Sequence, residues 1–72
     1  MLIDTRRLSG NSTAIVDATN QTEMVRFRSS QDATRVMARA VASGLPTGHV
    51  ATRDMLLATA ATIGVKVVQR RK

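Results

Sequence analysis

Apolar and polar positions alternate most clearly over residues 22–28, Thr-Glu-Met-Val-Arg-Phe-Arg. Val25 and Phe27 fall on one side of an extended chain, whereas the even-numbered residues from Met24 to Arg28 fall on the other. This period of two predicts a short, half-buried strand.

The segment that follows predicts a helix over about residues 31–43. Ser29 and Asp32 have the spacing of a capping box, in which a serine side chain at the N-cap accepts a backbone N–H. Gly44 is expected to end the helix in a left-handed conformation. The apolar face has helical spacing and consists of Ala33, Val36, Met37, Ala40 and Val41.

A second helix is predicted after a loop around Pro46, which cannot continue a helix. Thr52 is the preferred N-cap of this helix, and Thr47 is the other candidate. The helix is predicted to run to about residue 63, where Gly64 stops it. Its apolar stripe consists of Leu56, Leu57, Ala60 and Ile63.

The pattern divides the chain into three segments. Residues 1–21 are rich in Ser, Thr, Asn and Asp, and form either a partly ordered arm, which is the preferred interpretation, or a weak hairpin. Residues 22–64 form a strand-helix-helix domain. Residues 65–72 form a basic tail whose first part, Val-Lys-Val-Val-Gln, has the composition of a short strand. The expected fold class is α+β, mainly α.

Composition excludes several classes of site. The chain has 72 residues, no cysteine and a single histidine, His49, so that disulfides, Cys-type zinc sites and histidine clusters are not expected. No nucleophile, base or phosphate-binding loop has a recognisable arrangement, so we expect neither an enzyme nor a bound cofactor, metal or small-molecule substrate. No apolar run is long enough for a membrane span, and we expect a cytoplasmic protein without a membrane partner.

Size and charge indicate partners. A single core below ~70–80 residues seldom supplies more than ~3–5 kcal/mol, and the apolar side chains here are mostly small, which predicts a homodimer. The formal net charge of +6, from 11 Lys/Arg against 5 Asp/Glu, favours phosphate-bearing partners. Four cations of the last seven residues, including the tail residues Arg70, Arg71 and Lys72, are candidates for salt-sensitive contacts with DNA phosphates.

The strand-helix-helix order of residues 22–64 resembles the ribbon-helix-helix repressors of the Arc, MetJ and CopG type. The resemblance implies a dimer whose two strands pair into a ribbon that enters the major groove of double-stranded DNA. It implies base-reading roles for Met24, Arg26 and Arg28. It implies phosphate contacts at the start of the second helix, at Thr47, Gly48, Thr52 and Arg53. The dimer core is expected to contain Val25, Phe27, Val36, Met37, Leu56 and Leu57.

The expected function is therefore a small sequence-specific DNA-binding protein, a transcriptional repressor or regulator of plasmid or phage type. One alternative is a winged-helix module, in which the second helix would lie in the major groove. Another is a protein-interaction module, similar to an inhibitor or an antitoxin, that binds an acidic protein partner. In that case Val25, Phe27 and the helical stripes would form a monomer core or a partner surface.

Overall fold

A three-stranded antiparallel sheet followed by two helices forms the fold, in a computed structural model that describes residues 1–68. The strands are β1 (Ile3–Arg7), β2 (Thr13–Asp17) and β3 (Glu23–Phe27), and they lie in the order β1-β2-β3. The helices are α1 (Ser30–Ser43) and α2 (His49–Ile63). The fold class is α+β, with two strands more than the sequence analysis assigned firmly.

Residues 1–21 contain a hairpin, and not the arm that was the preferred interpretation. Ile3 pairs with Asp17 and Arg7 with Thr13, and the turn is closed by a hydrogen bond of 2.8 Å from Leu8 N–H to the carbonyl of Ser12. Gly10 has a φ of 69° in this turn, a conformation that glycine adopts at little cost. β2 is central in the sheet and is buried along most of its length, which explains its continuous apolar run instead of an alternation.

A β-bulge in β3 breaks the predicted alternation. Ile15 pairs with Val25, but the next residue of β2, Val16, pairs with Glu23, so that Met24 is an extra residue on β3. In a bulge of this kind neighbouring side chains lie on the same side of the strand. Met24 is accordingly only 6% exposed and belongs to the core with Val25. The expectation that Met24 shares an exposed face with Arg26 is wrong for this reason.

Helix α1 begins close to the predicted position. The side chain of Ser29 accepts a hydrogen bond of 3.2 Å from the backbone N–H of Asp32, which confirms the predicted N-cap. Ala33, Val36 and Ala40 are buried, whereas Val41 is exposed, so the apolar face is narrower than predicted.

Helix α2 begins three residues before Thr52, the preferred cap in the sequence analysis. Gly48 is the N-cap, with a φ of 96° and no side-chain cap, so the helix has neither Thr52 nor Thr47 in that role. Thr52 lies in the first turn, fully buried, and donates its hydroxyl to the carbonyls of Gly48 at 2.7 Å and Pro46 at 3.2 Å. At the other end Gly64 is left-handed and ends the helix, as predicted.

The core lies between the sheet and the helices. α1 contacts all three strands, and α2 contacts β3 and α1. Of the residues expected in a dimer core, Val25, Phe27, Val36 and Leu56 are buried within a single chain. Met37 and Leu57 pack against that core and are partly buried. Four of these six side chains are therefore buried within a single chain, and the other two pack against the same core.

The segment after α2 returns to the outer edge of β3. Within residues 65–68 it forms one isolated antiparallel bridge, between Val67 and Phe27, and the N–H of Val68 donates to the carbonyl of Arg26 at 2.8 Å. The short terminal strand considered for residues 65–69 is thus reduced to a bridge in the described part. Gln69 and the tail residues Arg70, Arg71 and Lys72 lie outside the described residues.

Candidate nucleic-acid interface

The sheet has one face toward the helices and one face away from them, which we call the open face. The side of the sheet toward the helices carries side chains that belong to the core or pack against it, which are Ile3, Ile15, Val25 and Phe27. Residues of each strand whose side chains point the opposite way lie on the open face. Strand pairing then assigns the residues of the open face, which are Asp4, Arg6, Ala14, Val16, Glu23 and Arg26.

Two arginines stand across the open face in register. Ala14 of β2 pairs with Arg6 on one side and with Arg26 on the other, so the two arginine Cα atoms are separated by two strand spacings, about 10 Å. Ala14 is fully buried although it lies on this face. Long arginine stems cover neighbouring apolar surface while their charged ends stay in water. The result is a basic row with a small residue at its centre.

An acidic row lies beside the basic one. Val16 pairs with Asp4 of β1 and with Glu23 of β3, so the carboxylates occupy the same two strands as the arginines. Arg28 is exposed and follows β3 directly, at the end of the sheet away from the acidic row. The open face is therefore polarised along the strands, with carboxylates at one end and arginines at the other.

Glu23 holds the guanidinium of Arg26. Arg26 donates Nη2–H to Glu23 Oε1 at 2.9 Å and Nε–H to Oε2 at 3.2 Å, which is a bidentate pair. The hydrogen bond and then the negative charge of Glu23 raise the pKa of Arg26 above its ordinary value. The Arg26 side chain is 32% exposed. Because guanidinium has five N–H donors, those not used by Glu23 remain for an external acceptor.

Of the phosphate contacts predicted at the start of α2, only Arg53 lines a groove beside β3. This open groove of about 350 Å³ runs between β3, the first turns of α2 and residues 67–68, and Arg26, His49 and Arg53 are among its lining residues. Thr47 and Gly48 are exposed nearby in the sequence, but Thr52 is fully buried and both its acceptors are internal carbonyls. Thr52 is therefore not available to a phosphate, and its predicted role is corrected.

The structure brings Arg26 and Arg28 together at one end of β3, as the strand pattern predicted, but it separates Met24 from them. Arg6 stands across the sheet from Arg26, a position that only the strand pairing assigns. The signal for Arg6 is the alternation of Ile3 and Thr5 with Asp4 and Arg6, which is typical of a strand.

Residues 1–68 contain no group of three or more His, Asp or Glu side chains that could hold a metal ion. No helix among them has the length and apolar character that crossing a membrane requires. Comparisons of the chain with protein-family models, with curated proteins and with solved structures gave no match.

Proposed function

We propose that this protein binds double-stranded DNA through the open face of its sheet and acts as a sequence-specific regulator, in the manner of a repressor that occludes a promoter. The observation that carries the proposal is the basic row, in which Arg6 and Arg26 flank Ala14, together with the exposed Arg28 beyond it. Arginine forks are suited to phosphates and to guanine O6 and N7. The net charge of +6 supports the same class of partner.

The dimensions of the basic row suit a DNA groove. The arginine Cα atoms of β1 and β3 are about 10 Å apart, and the major groove is about 12 Å wide. With a small alanine between them, one arginine is able to reach a rim of the groove while the other enters it. In this arrangement Arg6 contacts phosphate, whereas Arg26, whose orientation is set by Glu23, and the adjacent Arg28 contact base edges.

The sheet face suits this proposal better than a ribbon built from two copies of β3. β3 pairs with β2 on one side, and on its other side the carbonyl of Arg26 already accepts the N–H of Val68 at 2.8 Å. A ribbon of the ribbon-helix-helix kind would have to displace that contact. The open face needs no such rearrangement.

Fluorescence anisotropy with duplexes selected from a random library tests the proposal. Arg28→Ala on the open-face side is compared with Arg35→Ala, which removes another exposed arginine from α1. We expect Arg28→Ala to weaken binding to the selected duplex by about 1–3 kcal/mol and to reduce its preference over random DNA. Equal effects of the two variants on both DNAs would contradict the proposal, because only the total charge would then matter.

A second candidate is a protein-interaction module that binds an acidic segment in the groove beside β3. The groove runs beside β3, and Arg26, His49 and Arg53 line it. An extended acidic peptide is able to add to the edge of a strand by β-augmentation. Arg53→Ala discriminates the two candidates, since it should leave DNA selection unchanged while weakening capture of an acidic peptide.

A further inference from the structure

We propose that two copies of this chain pair through the outer edges of β1, so that their sheets join into one continuous antiparallel sheet of six strands. The interface shares Arg6 with the proposed DNA-binding face, but it is tested in the absence of DNA and so holds or fails independently of that hypothesis. Its basis is that the sequence of β1 and its flanking residues is complementary to itself when the two-fold axis lies at Thr5.

The outer edge of β1 is available for pairing. β1 is the end strand of the sheet, and no strand among residues 1–68 pairs with its outer side. The N–H of Leu8 donates to the carbonyl of Ser12, and the carbonyl of Leu2 accepts from the N–H of Ala18. The even-numbered residues of this segment therefore direct their backbone N–H and C=O groups toward β2. Ile3, Thr5 and Arg7 therefore direct theirs outward. Such an exposed row of backbone groups is a template for another strand.

The backbone N–H of Thr5 illustrates this availability. It donates to Oδ1 of Asp4 at 2.8 Å, a local side-chain bond at an exposed position. In a paired edge the N–H of Thr5 would instead donate to a backbone carbonyl of the second copy. The carboxylate of Asp4 would then be released for another partner.

Charge disfavours the registers centred on Asp4, Arg6 or Arg7 and favours the one centred on Thr5. Backbone orientation restricts a two-fold antiparallel pair to registers that place odd-numbered residues opposite odd-numbered ones. With the axis at Asp4, Arg6 or Arg7, like charges would face each other across the axis, which is destabilising. With the axis at Thr5, Asp4 lies opposite Arg6 of the second copy, and this happens twice. These are non-hydrogen-bonded pairs, in which side chains approach most closely.

The same register covers exposed apolar surface. Leu2 is 74% exposed, the most exposed large hydrophobic residue among those described. With the two-fold axis at Thr5, Leu2 lies opposite Leu8 of the second copy on the same face of the joined sheet. Leucine pairs would thus flank the two pairs of opposite charges on this face of the joined sheet, while Ile3 lies opposite Arg7 on the other face.

The joined sheet doubles the open face. Each copy contributes its own Arg26 and Arg28. Each Arg6 side chain is held by Asp4 of the other copy, at the centre of the joined sheet. If the open face binds DNA, a dimer would then contact a site with two-fold symmetry.

Sedimentation equilibrium without DNA tests the interface by charge reversal. We expect the wild-type protein to approach twice the chain mass of 7.8 kDa. Asp4→Arg and Arg6→Asp each place like charges opposite each other and should weaken association about tenfold or more. The double variant Asp4→Arg/Arg6→Asp restores opposite pairs and should dimerise again. Asp54→Arg, on an exposed position of α2, is the control for net charge and should leave the mass unchanged.

Single cysteines test the register directly, because the chain has none of its own. Thr5→Cys places two thiols on the axis, where facing Cα atoms of about 5.5 Å allow a disulfide. Under mild oxidation it should cross-link much faster than Asp4→Cys or Arg6→Cys. A wild-type monomer, charge reversals that leave the mass unchanged, or preferential cross-linking at Asp4 or Arg6 would each overturn the proposal. Circular dichroism verifies that every variant is folded.

Because mass and cross-linking are measured without DNA, their outcome is separate from that of the DNA-binding hypothesis. A dimer with no DNA affinity would remove only the proposed function. DNA binding by a monomer would remove only the interface at β1.

Discussion

Glu23 determines what Arg26 presents on the open face. The two hydrogen bonds between them use the Nε and Nη2 side of the guanidinium and leave other N–H groups free. The same carboxylate adds a negative charge beside the arginines. Glu23 is thus expected to orient Arg26 for a specific contact while reducing the attraction of this face for phosphate in general.

Glu23→Gln tests this double effect. The change removes one negative charge and weakens the hold on Arg26, so we expect about 2–5-fold tighter binding to random duplex DNA and a smaller preference for a selected one. Anisotropy titrations at two salt concentrations measure both quantities. Asp32→Asn is the control, since it removes an equal charge from α1. Unchanged affinity for random DNA in Glu23→Gln would contradict the expected role.

Two buried threonines give opposite predictions for stability. The hydroxyl of Thr13 is buried without a hydrogen-bond partner, whereas that of Thr52 donates to two carbonyl oxygens. An unsatisfied buried polar group costs about 1–3 kcal/mol. Thr13→Val should therefore raise the free energy of unfolding by about 1 kcal/mol, and Thr52→Val should lower it by about as much or more. Urea denaturation of both variants measures this, and a loss of stability in Thr13→Val would show that its hydroxyl has a partner in solution.

At the scale of elements, the sequence predicted correctly those helix ends that depend only on residues adjacent in the chain. The Ser29 cap and the Gly64 stop each involve a few adjacent residues, and both were predicted correctly. The bulge at Met24 depends on the register with β2, and the burial of both faces of β2 depends on its central place in the sheet. The bulge and the burial of β2 arise from the pairing of strands, and the alternation of residues along one strand carries no information about that pairing.

The same distinction applies to the candidate site. The proximity of Arg26 and Arg28 follows from their spacing on one strand. The row of Arg6, Ala14 and Arg26 requires two strand pairings over 20 residues of chain, and the sequence analysis assigned only one of the three strands firmly. Thr52 was misplaced because Gly48 begins the helix without a side-chain cap, so the residue with the best capping chemistry is inside the first turn.

The N-cap of α1 gives the prediction that belongs to this scale. Ser29→Ala removes the acceptor for the N–H of Asp32 and should cost about 1 kcal/mol of stability, the usual effect of losing a serine cap. Ser30→Ala, one residue later at an exposed position inside the helix, is the matched control and should change little. Thermal denaturation followed by circular dichroism compares the two. Equal melting temperatures would mean that the cap in solution differs from the one described.

At the scale of the whole molecule, the core and the proposed interface are different surfaces. Phe27, Ile15 and Leu56 are fully buried inside one chain, while Leu2 and the edge of β1 are exposed. A chain with this organisation is expected to fold as a unit, and the proposed association through β1 would follow folding. In an obligate dimer with an interlocked core, stability would instead depend on protein concentration, because folding and association would be one process.

Phe27→Leu and Leu2→Ala separate these two surfaces. In the Asp4→Arg background, where association is weakened, Phe27→Leu should lower the free energy of unfolding by about 1–2 kcal/mol at every protein concentration, because it leaves space in the core of one chain. Leu2→Ala in that background should leave unfolding unchanged, since Leu2 is exposed there. In the otherwise wild-type chain, Leu2→Ala should weaken association while Phe27→Leu leaves the dimer mass intact. An unfolding midpoint that rises with concentration in the Asp4→Arg background would instead place Phe27 in a core shared by two chains, as the resemblance to ribbon-helix-helix repressors implied.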